Sequence, residues 1–175
     1  TIIESLQHGV YIINGKSGAG KTTILKGITE VLNDCGRTYH GAVLSGKGSM
    51  VMSSKGITSS TIHRLLKYDG EGFKHDEENP LPYHTIILDE ASMTDANLWS
   101  HITNAMANGC QLLCVGDSGQ LPNLSGGDVM RDLLGSTLFK RRELVQIHRQ
   151  ASDSGVIEIA HKIRNGEQIT SFNRE

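Results

Sequence analysis

Three polar segments of this chain directly follow apolar runs, and their residue types are those that handle phosphate groups. The first segment fits the pattern G-x-x-x-x-G-K-[ST] and reads Gly15-Lys16-Ser17-Gly18-Ala19-Gly20-Lys21-Thr22. In this pattern the glycines let consecutive backbone N–H groups curl around phosphate oxygens, and the N-terminus of the following helix adds partial positive charge. Lys21 is expected to neutralise the β- and γ-phosphates, and the Thr22 hydroxyl is expected to reach Mg²⁺. The expected nucleotide contacts are Gly15, Ser17, Gly18, Ala19, Gly20, Lys21, Thr22 and Thr23.

The second segment places two carboxylates at the end of a predicted strand. Asp89 and Glu90 follow Thr85-Ile86-Ile87-Leu88, so Asp89 is expected at the carboxyl edge of the sheet, where open α/β folds bind ligands. Asp89 suits Mg²⁺ bound through water, and Glu90 can polarise the water that attacks a γ-phosphate. A solvated acidic pair that merely ends a strand is the alternative interpretation.

The third segment contains a glutamine that could act on the same phosphate. Gln120 comes after the apolar run Gln111-Leu112-Leu113-Cys114-Val115. A glutamine in this place can contact the γ-phosphate or the attacking water, as in other nucleotide hydrolases. Alone it would be weak support. Together, the three segments predict hydrolysis of ATP with Mg²⁺ as cofactor.

These segments and two others carry a resemblance that covers nearly the whole chain. The chain resembles the first motor domain of a superfamily 1 DNA helicase of the RecD-like branch. The segments that follow that family's order and approximate spacing are Asp89-Glu90-Ala91-Ser92-Met93, Gly116-Asp117 through Gln120-Leu121-Pro122, Thr61-Ile62-His63-Arg64-Leu65-Leu66 and Ile147-His148-Arg149-Gln150. Where the family usually reads Ala-Pro-Thr-Gly-Lys-Ala-Ala, this chain has Leu44 and Ser45 for the proline and threonine, while a hydroxyl and a lysine are kept.

The resemblance implies a motor that hydrolyses ATP, moves along single-stranded DNA from 5′ to 3′ and unwinds duplex. The DNA backbone contacts that it implies are Ser45, Gly46, Lys47, Thr61 and His63. Ordinary roles are open to these residues as well, such as a helix N-cap for Thr61 and a surface cation for Lys47.

The resemblance also implies a catalytic role for one arginine and the presence of a further domain. Arg149 stands where the family's fourth motif brings an arginine to the γ-phosphate, although a surface ion pair is the alternative. The catalytic residues then expected are Lys21, Glu90, Gln120 and Arg149. The family's adenine-recognition motif lies further upstream of the phosphate loop than Gln7. A second RecA-like domain of the same polypeptide is expected beyond Glu175, so the chain is expected to be part of a larger helicase.

Alternating strands and helices predict an α/β fold with a parallel sheet covered by helices on both faces. The predicted strands are 10–13, 39–44, 85–88, 111–115 and 143–146, and the predicted helices are 21–34, 61–66, 95–107, 128–134 and 155–164. The whole chain, 1–175, is interpreted as one RecA-like P-loop NTPase domain.

The polar stretch at 68–84 is too long for a simple connection and predicts a small inserted hairpin. Tyr68 and Phe73 flank a glycine turn, as the strands of a hairpin would. By resemblance this insertion is a pin, located between a DNA-contacting motif and the Asp-Glu motif. A disordered surface loop is the alternative.

Composition excludes several other classes of protein. The formal net charge of −2 and a pI near 6.4 argue against a purely electrostatic nucleic-acid binder. The run Lys140-Arg141-Arg142 is interpreted either as a solvated turn before a strand or as a DNA or partner contact. The cysteines and histidines lack the spacing of disulfide frameworks or metal sites. No apolar run is long enough for a membrane span and no signal-peptide pattern is present, so a cytoplasmic protein without membrane partners is expected.

Two other functions compete with a helicase motor. A small-molecule P-loop kinase is disfavoured because the chain has no Arg-rich lid and because Glu90 lies beside Asp89. An ATP-switched scaffold or clamp-loader-like subunit would bind nucleotide tightly, turn it over slowly and move no strand.

Overall fold

The sheet brings the ends of its strands, and the polar segments that follow them, to one edge. The computed structural model describes residues 1–120 and 127–145. The strands are β1 (Val10–Gly15), β2 (Tyr39–Val43), β3 (Ser59–Thr61), β4 (Thr85–Leu88), β5 (Gln111–Gly116) and β6 (Lys140–Leu144). Their order is β3-β2-β4-β5-β1-β6, and each neighbouring pair is parallel. The predicted parallel α/β architecture is confirmed.

Side-chain caps define where several helices begin. The helices are α1 (Ile2–Ser5), α2 (Lys21–Asp34), α3 (Gly46–Ser54), α4 (Ile62–Leu65), α5 (Ala96–Asn104) and α6 (Val129–Gly135), with a 3₁₀ turn at Ala91–Met93. Ser45, Thr61, Asp95 and Asp128 each accept a hydrogen bond from the backbone N–H three residues later. Such a cap stabilises a helix by about 1 kcal/mol. None of the helices in the described ranges is long and apolar enough to cross a membrane.

The sheet separates two apolar clusters, because successive side chains of a strand point to opposite faces. On one face, Tyr11 and Ile13 of β1 belong to a cluster with Leu25, Ile28 and Leu32 of α2. On the other face, a second cluster joins β1 and β5 to α5 through Ile12, Leu112, Cys114, Trp99 and Ile102. Strands that are buried on both faces read as continuous apolar runs, which explains why these strands were visible in the sequence.

The last described strand begins earlier than predicted. The predicted strand at 143–146 was wrong in its bounds, because β6 begins at Lys140 and ends at Leu144. The run Lys140-Arg141-Arg142 is therefore neither a turn nor a loop; it pairs with Tyr11, Ile12 and Ile13 of β1. These cations are exposed, and β6 is the outermost strand at this side of the sheet within 1–120 and 127–145; charged side chains are tolerated on such a strand and discourage pairing with other chains.

Two elements between β2 and α4 were not predicted. The segment 45–60 is rich in serine and glycine and lacks a strong apolar period, so neither α3 nor β3 stands out in the sequence. The Ser45 cap and the burial of Met52 hold α3 against the sheet. The short strand β3 forms because Gly41 to Val43 offer it a free parallel edge.

The insertion folds back onto the domain as a compact loop. Its predicted glycine turn is present, since the Asp69 N–H donates to the Gly72 carbonyl (3.2 Å). The flanking strands predicted at Tyr68 and Phe73 are not, because no strand is assigned between Lys67 and His84 apart from the isolated bridge of Leu81 to Met106. The loop satisfies its turns locally instead, with Asp69 Oδ1 accepting from the Glu71 and Gly72 N–H groups.

Candidate functional site

The phosphate loop joins β1 to α2 and takes its shape from glycines. Gly18 and Gly20 have φ values of +80° and +83°, a region that residues with a Cβ rarely adopt. Gly20 is the N-cap of α2 and has no side chain that could occupy the first N–H groups of that helix. An uncapped helix start behind a glycine loop is the arrangement that binds phosphate oxygens.

A cavity of about 610 Å³ opens over this loop, and its lining fits a triphosphate. Its lining residues are Ser17, Gly18, Gly20, Lys21, Thr22, Thr23, Lys26 and Lys55. The Lys21 ammonium donates to the carbonyls of Gly15 (2.6 Å) and Lys16 (3.2 Å), which holds it within the loop. Gly15 and Ala19 are not among the lining residues, and the Ala19 N–H donates to the Lys16 carbonyl (3.1 Å). Three lysine charges and the uncapped helix give the cavity the polarity that an anionic nucleotide needs.

The acidic pair lies next to the phosphate loop in space. Burial raises the pKa of Asp89, while the Glu90 N–H bond to Asp89 Oδ1 (2.9 Å) and the charge of Lys21 partly lower it. Burial and the neighbouring Asp89 charge raise the pKa of Glu90 as well. A raised pKa makes a carboxylate a stronger proton acceptor. Because β1 and β4 run parallel in one sheet with β5 between them, the phosphate loop and Asp89 follow strand ends at the same edge.

Glu90 has an uncommon backbone conformation, and its side chain lies close to α3. Its φ of +56° lies in the left-handed region, which is uncommon for a residue with a side chain and often marks a functional position. A Cβ built on Gly48 would lie 3.5 Å from Glu90 Oε2 and 3.2 Å from Ser45 Oγ. The candidate base therefore lies beside the start of α3, where the candidate DNA contacts begin.

The candidate DNA contacts lie at the ends of two neighbouring strands. Val43 pairs with Thr61, so the residues that follow β2 and β3 share one edge. Ser45, Gly46, Lys47 and His63 are exposed there. The hydroxyls of Ser45 and Thr61 accept from the N–H groups of Gly48 (3.0 Å) and Arg64 (3.3 Å). Capping by Thr61 is thus confirmed; a capping hydroxyl keeps its own proton for donation to a phosphate.

Aromatic contacts pack the insertion against the start of α4, where the candidate DNA contact His63 lies. His63 lies 5.8 Å from Tyr68 and 5.7 Å from Phe73, measured between ring centroids. Phe73 also lies 5.1 Å from Tyr68 and 4.5 Å from His101 of α5. Tyr68 is half exposed. The insertion therefore presents an aromatic surface directly beside a candidate DNA contact, which the one-dimensional pattern did not reveal.

The third segment is held by residues that the sequence analysis missed. Gln120 is exposed, and its N–H donates to the Asp117 carbonyl (2.9 Å). Asn14, at the end of β1, accepts from the Ser118 N–H (2.9 Å) and donates to Ser118 Oγ (2.9 Å) and Glu143 Oε2 (2.8 Å). The signal available in the sequence was a polar residue ending an apolar strand. Arg149, the segment Leu121-Pro122 and the predicted helix at 155–164 lie outside the described residues.

Comparison with known proteins identifies relatives of this chain. Residues 2–174 match the family model described as AAA domain. The chain is 32% identical over 161 residues to the ATP-dependent RecD2 DNA helicase of Deinococcus radiodurans, covering 91% of this chain and 22% of that protein. It is 28% identical over 179 residues to the ATP-dependent DNA helicase dda of enterobacteria phage T4, covering 94% and 40%. The chain thus spans well under half the length of these curated relatives.

Among solved structures, the chain is similar to the crystal structure of Pif1 helicase from Candida albicans. The TM-score is 0.71 at 21% sequence identity, and the match covers 97% of this chain and 43% of that one. This similarity confirms the fold, and the sequence relatives confirm the resemblance to RecD-like helicases.

Proposed function

The chain belongs to the AAA domain family, and we infer from this premise and from the order of its motifs that it is the first motor domain of an ATP-dependent DNA helicase. The motor hydrolyses ATP with Mg²⁺, moves along single-stranded DNA from 5′ to 3′ and separates duplex. One observation carries the proposal: β1 and β4 run parallel in one sheet with β5 between them, so the phosphate loop and Asp89 lie at the same edge.

In this proposal each residue at the carboxyl edge has a defined task. Lys21 exchanges its two loop carbonyls for β- and γ-phosphate oxygens. Thr22 and Asp89 would hold Mg²⁺, which when bound would neutralise charge that develops on the phosphates. Glu90 accepts the proton of the attacking water, and Gln120 orients that water. Arg149 stabilises the charge of the transferring phosphoryl group.

The DNA strand lies along the start of α3 and α4 in this proposal. The supporting observation is that the exposed Ser45, Gly46, Lys47 and His63 share one edge with Thr61. Hydroxyls, backbone amides and a lysine can contact phosphates of any sequence, as a translocating motor requires. Because Glu90 lies beside Gly48, a strand bound at α3 is close enough to influence hydrolysis.

A second RecA-like domain beyond Glu175 completes the motor. It supplies the opposite wall of the nucleotide cleft, a further arginine and the other half of the DNA track. The supporting observation is that the relatives named above are much longer than this chain. Hydrolysis is converted into steps by relative motion of the two domains.

A phosphate-release assay with and without oligo-dT tests the proposal, using the full-length polypeptide and residues 1–175 in parallel. The full-length polypeptide is expected to show DNA-stimulated turnover and unwinding. The shorter chain is expected to lose about 10³-fold or more in rate, because the transition-state arginine of the second domain is missing. Transfer of phosphate to a nucleoside or metabolite would support a kinase instead. Robust DNA-stimulated turnover by residues 1–175 would show that no second domain is needed.

A further inference from the structure

One buried amide joins three segments of the nucleotide edge. Asn14 is 5% exposed and is the last residue but one of β1, directly before Gly15 of the phosphate loop. Its carbonyl oxygen accepts from the backbone of Ser118, and its NH₂ group donates to the Ser118 hydroxyl and to the Glu143 carboxylate, all at 2.8 to 2.9 Å. An asparagine side chain offers two donors and an acceptor, and all of them have a partner here.

The partners of Asn14 lie on the segments that flank β1 on either side. Within the sheet, Asn14 is paired with Gly116 of β5 and with Glu143 of β6. Ser118 belongs to the loop at 117–120 that carries Gln120, and that loop is closed by a bond from the Gly119 N–H to the buried Asp117 carboxylate (3.1 Å). The amide therefore ties the Gln120 loop and β6 to the strand that leads into the phosphate loop.

We propose that Asn14 is a positioning residue for hydrolysis, which holds the loop at 117–120 and strand β6 in register with the phosphate loop. The inference rests on the proposed function, because it concerns the placement of Gln120. Asn14 does not line the cavity, and its side chain bonds to Ser118 and Glu143, so we expect it to act through these partners. A glutamine that must orient one water molecule depends on such support, since a displacement of about 1 Å can cost about 10²-fold in rate.

Exchanging the amide of Asn14 and the carboxylate of Glu143 tests whether the hydrogen bonds between these side chains position the loop at 117–120. Asn14→Asp keeps the acceptor for the Ser118 N–H, removes both donors and sets two carboxylates against each other at the Glu143 contact. Glu143→Gln alone keeps every bond, because its amide oxygen still accepts from Asn14. With both changes, the new glutamine amide donates to the new aspartate and the Ser118 hydroxyl rotates to donate as well, so all three hydrogen bonds can form again.

A matched control comes from the opposite end of the neighbouring strand. Gln111, at the start of β5, is 3% exposed and its amide donates to the carbonyls of Ser5 (2.7 Å) and His8 (2.6 Å). Gln111→Glu thus makes the same amide-to-carboxylate change at a buried, hydrogen-bonded strand residue far from the nucleotide edge. The change is expected to destabilise the fold and to leave the loop at 117–120 undisturbed.

The experiment measures three quantities for each variant of the full-length polypeptide: the ATP dissociation constant, the kcat of DNA-stimulated phosphate release, and amide hydrogen exchange at 117–120 and 140–144. Asn14→Asp is expected to leave ATP affinity within about twofold, to lower kcat at least about tenfold and to speed exchange in both segments. Glu143→Gln is expected to stay near wild type. The double variant is expected to recover most of the lost kcat and most of the lost protection from amide exchange. Gln111→Glu is expected to leave the kcat of the folded protein unchanged.

Several results would overturn the proposal. Unchanged exchange in Asn14→Asp would show that the amide does not hold these segments. Faster amide exchange with unchanged kcat in Asn14→Asp would mean that the contacts of Asn14 are structural only. A kcat loss in Gln111→Glu equal to that in Asn14→Asp would lead to the same conclusion. A double variant no better than Asn14→Asp would exclude the hydrogen-bond explanation. If the wild-type polypeptide hydrolysed no ATP, the proposed function would fail, and exchange would still decide whether Asn14 clamps the two segments.

Discussion

The phosphate loop and the insertion are both polar, glycine-containing connections, yet they are held in different ways. The phosphate loop is short, and its shape follows from β1 and α2 at its ends, from left-handed Gly18 and Gly20, and from Lys21 bonded to loop carbonyls. The insertion is long and is held by side chains, through the ring cluster around Phe73 and through turns that Asp69 and Asp76 close. A short loop between buried elements is determined by its backbone, whereas a long one depends on what its side chains touch.

From this difference we expect substitutions in the two regions to impair different properties of the protein. Changes in the phosphate loop should remove chemistry and leave the fold intact, because its side chains line a cavity. Changes in the insertion should alter stability or DNA handling and leave nucleotide chemistry intact. The following predictions test this division in the full-length polypeptide.

Lys21→Ala is expected to lower ATP hydrolysis by about 10³-fold or more and to weaken ATP binding, because it removes the cation held inside the loop. Phosphate release and nucleotide binding measure this. Lys26→Ala is the matched control, since Lys26 also lines the cavity but is mostly exposed and pairs with Glu30 at 4.0 Å. An equal loss in both variants would mean that general positive charge, and no specific contact of Lys21, explains the effect.

Glu90→Gln is expected to slow hydrolysis by about 10²-fold while ATP affinity stays within about twofold, because the amide keeps the shape but cannot accept a proton. Single-turnover hydrolysis and equilibrium binding separate the two quantities. If binding fell as far as it does in Lys21→Ala, Glu90 would be a structural residue that supports the turn at φ +56°.

Leu81→Ala is expected to lower the free energy of unfolding by about 2–5 kcal/mol, since the Leu81 side chain is 1% exposed and belongs to the apolar cluster that includes Ile62 and Leu66. Replacing 69–72 with four glycines is the contrasting change, because those residues form the exposed tip. The tip variant is expected to keep its stability and its DNA-stimulated hydrolysis but to lose strand separation. Chemical denaturation, phosphate release and unwinding assays distinguish the two; collapse of hydrolysis in the tip variant would assign the tip to the motor's core.

Asp69→Asn is expected to have the smallest effect. A hydrogen bond from Lys74 (2.6 Å) and N–H donors from the tip hold the pKa of Asp69 well below its usual range. The Lys74 side chain is 62% exposed and that of Asp69 is 37% exposed, so solvent screens the pair. Amide exchange at Glu71 and Gly72 should quicken, with no measurable change in melting temperature. A clear drop in melting temperature would mean that the tip contributes to global stability.

Much of the fold could be predicted because the informative signals are local. The bounds of α2 and β4 agree with prediction, since apolar periodicity and the glycine signals flanking α2 act over a few residues. The start of β6 could not be predicted, because three exposed cations carry no strand pattern and pair only when β1 offers an edge. The same applies to α3, whose serine- and glycine-rich segment becomes a helix through a cap and one buried methionine.

For the candidate site, the sequence by itself determined which residue types follow which strands, and therefore the phosphate loop, the acidic pair and Gln120. Only the tertiary structure decided how they are held together. Ser118 and Glu143 lie 104 and 129 residues along the chain from Asn14, and no local pattern relates them. Strand order sets β1 between β5 and β6, and a buried amide at its end must then find partners on both sides, because leaving it unpaired would cost about 1–3 kcal/mol.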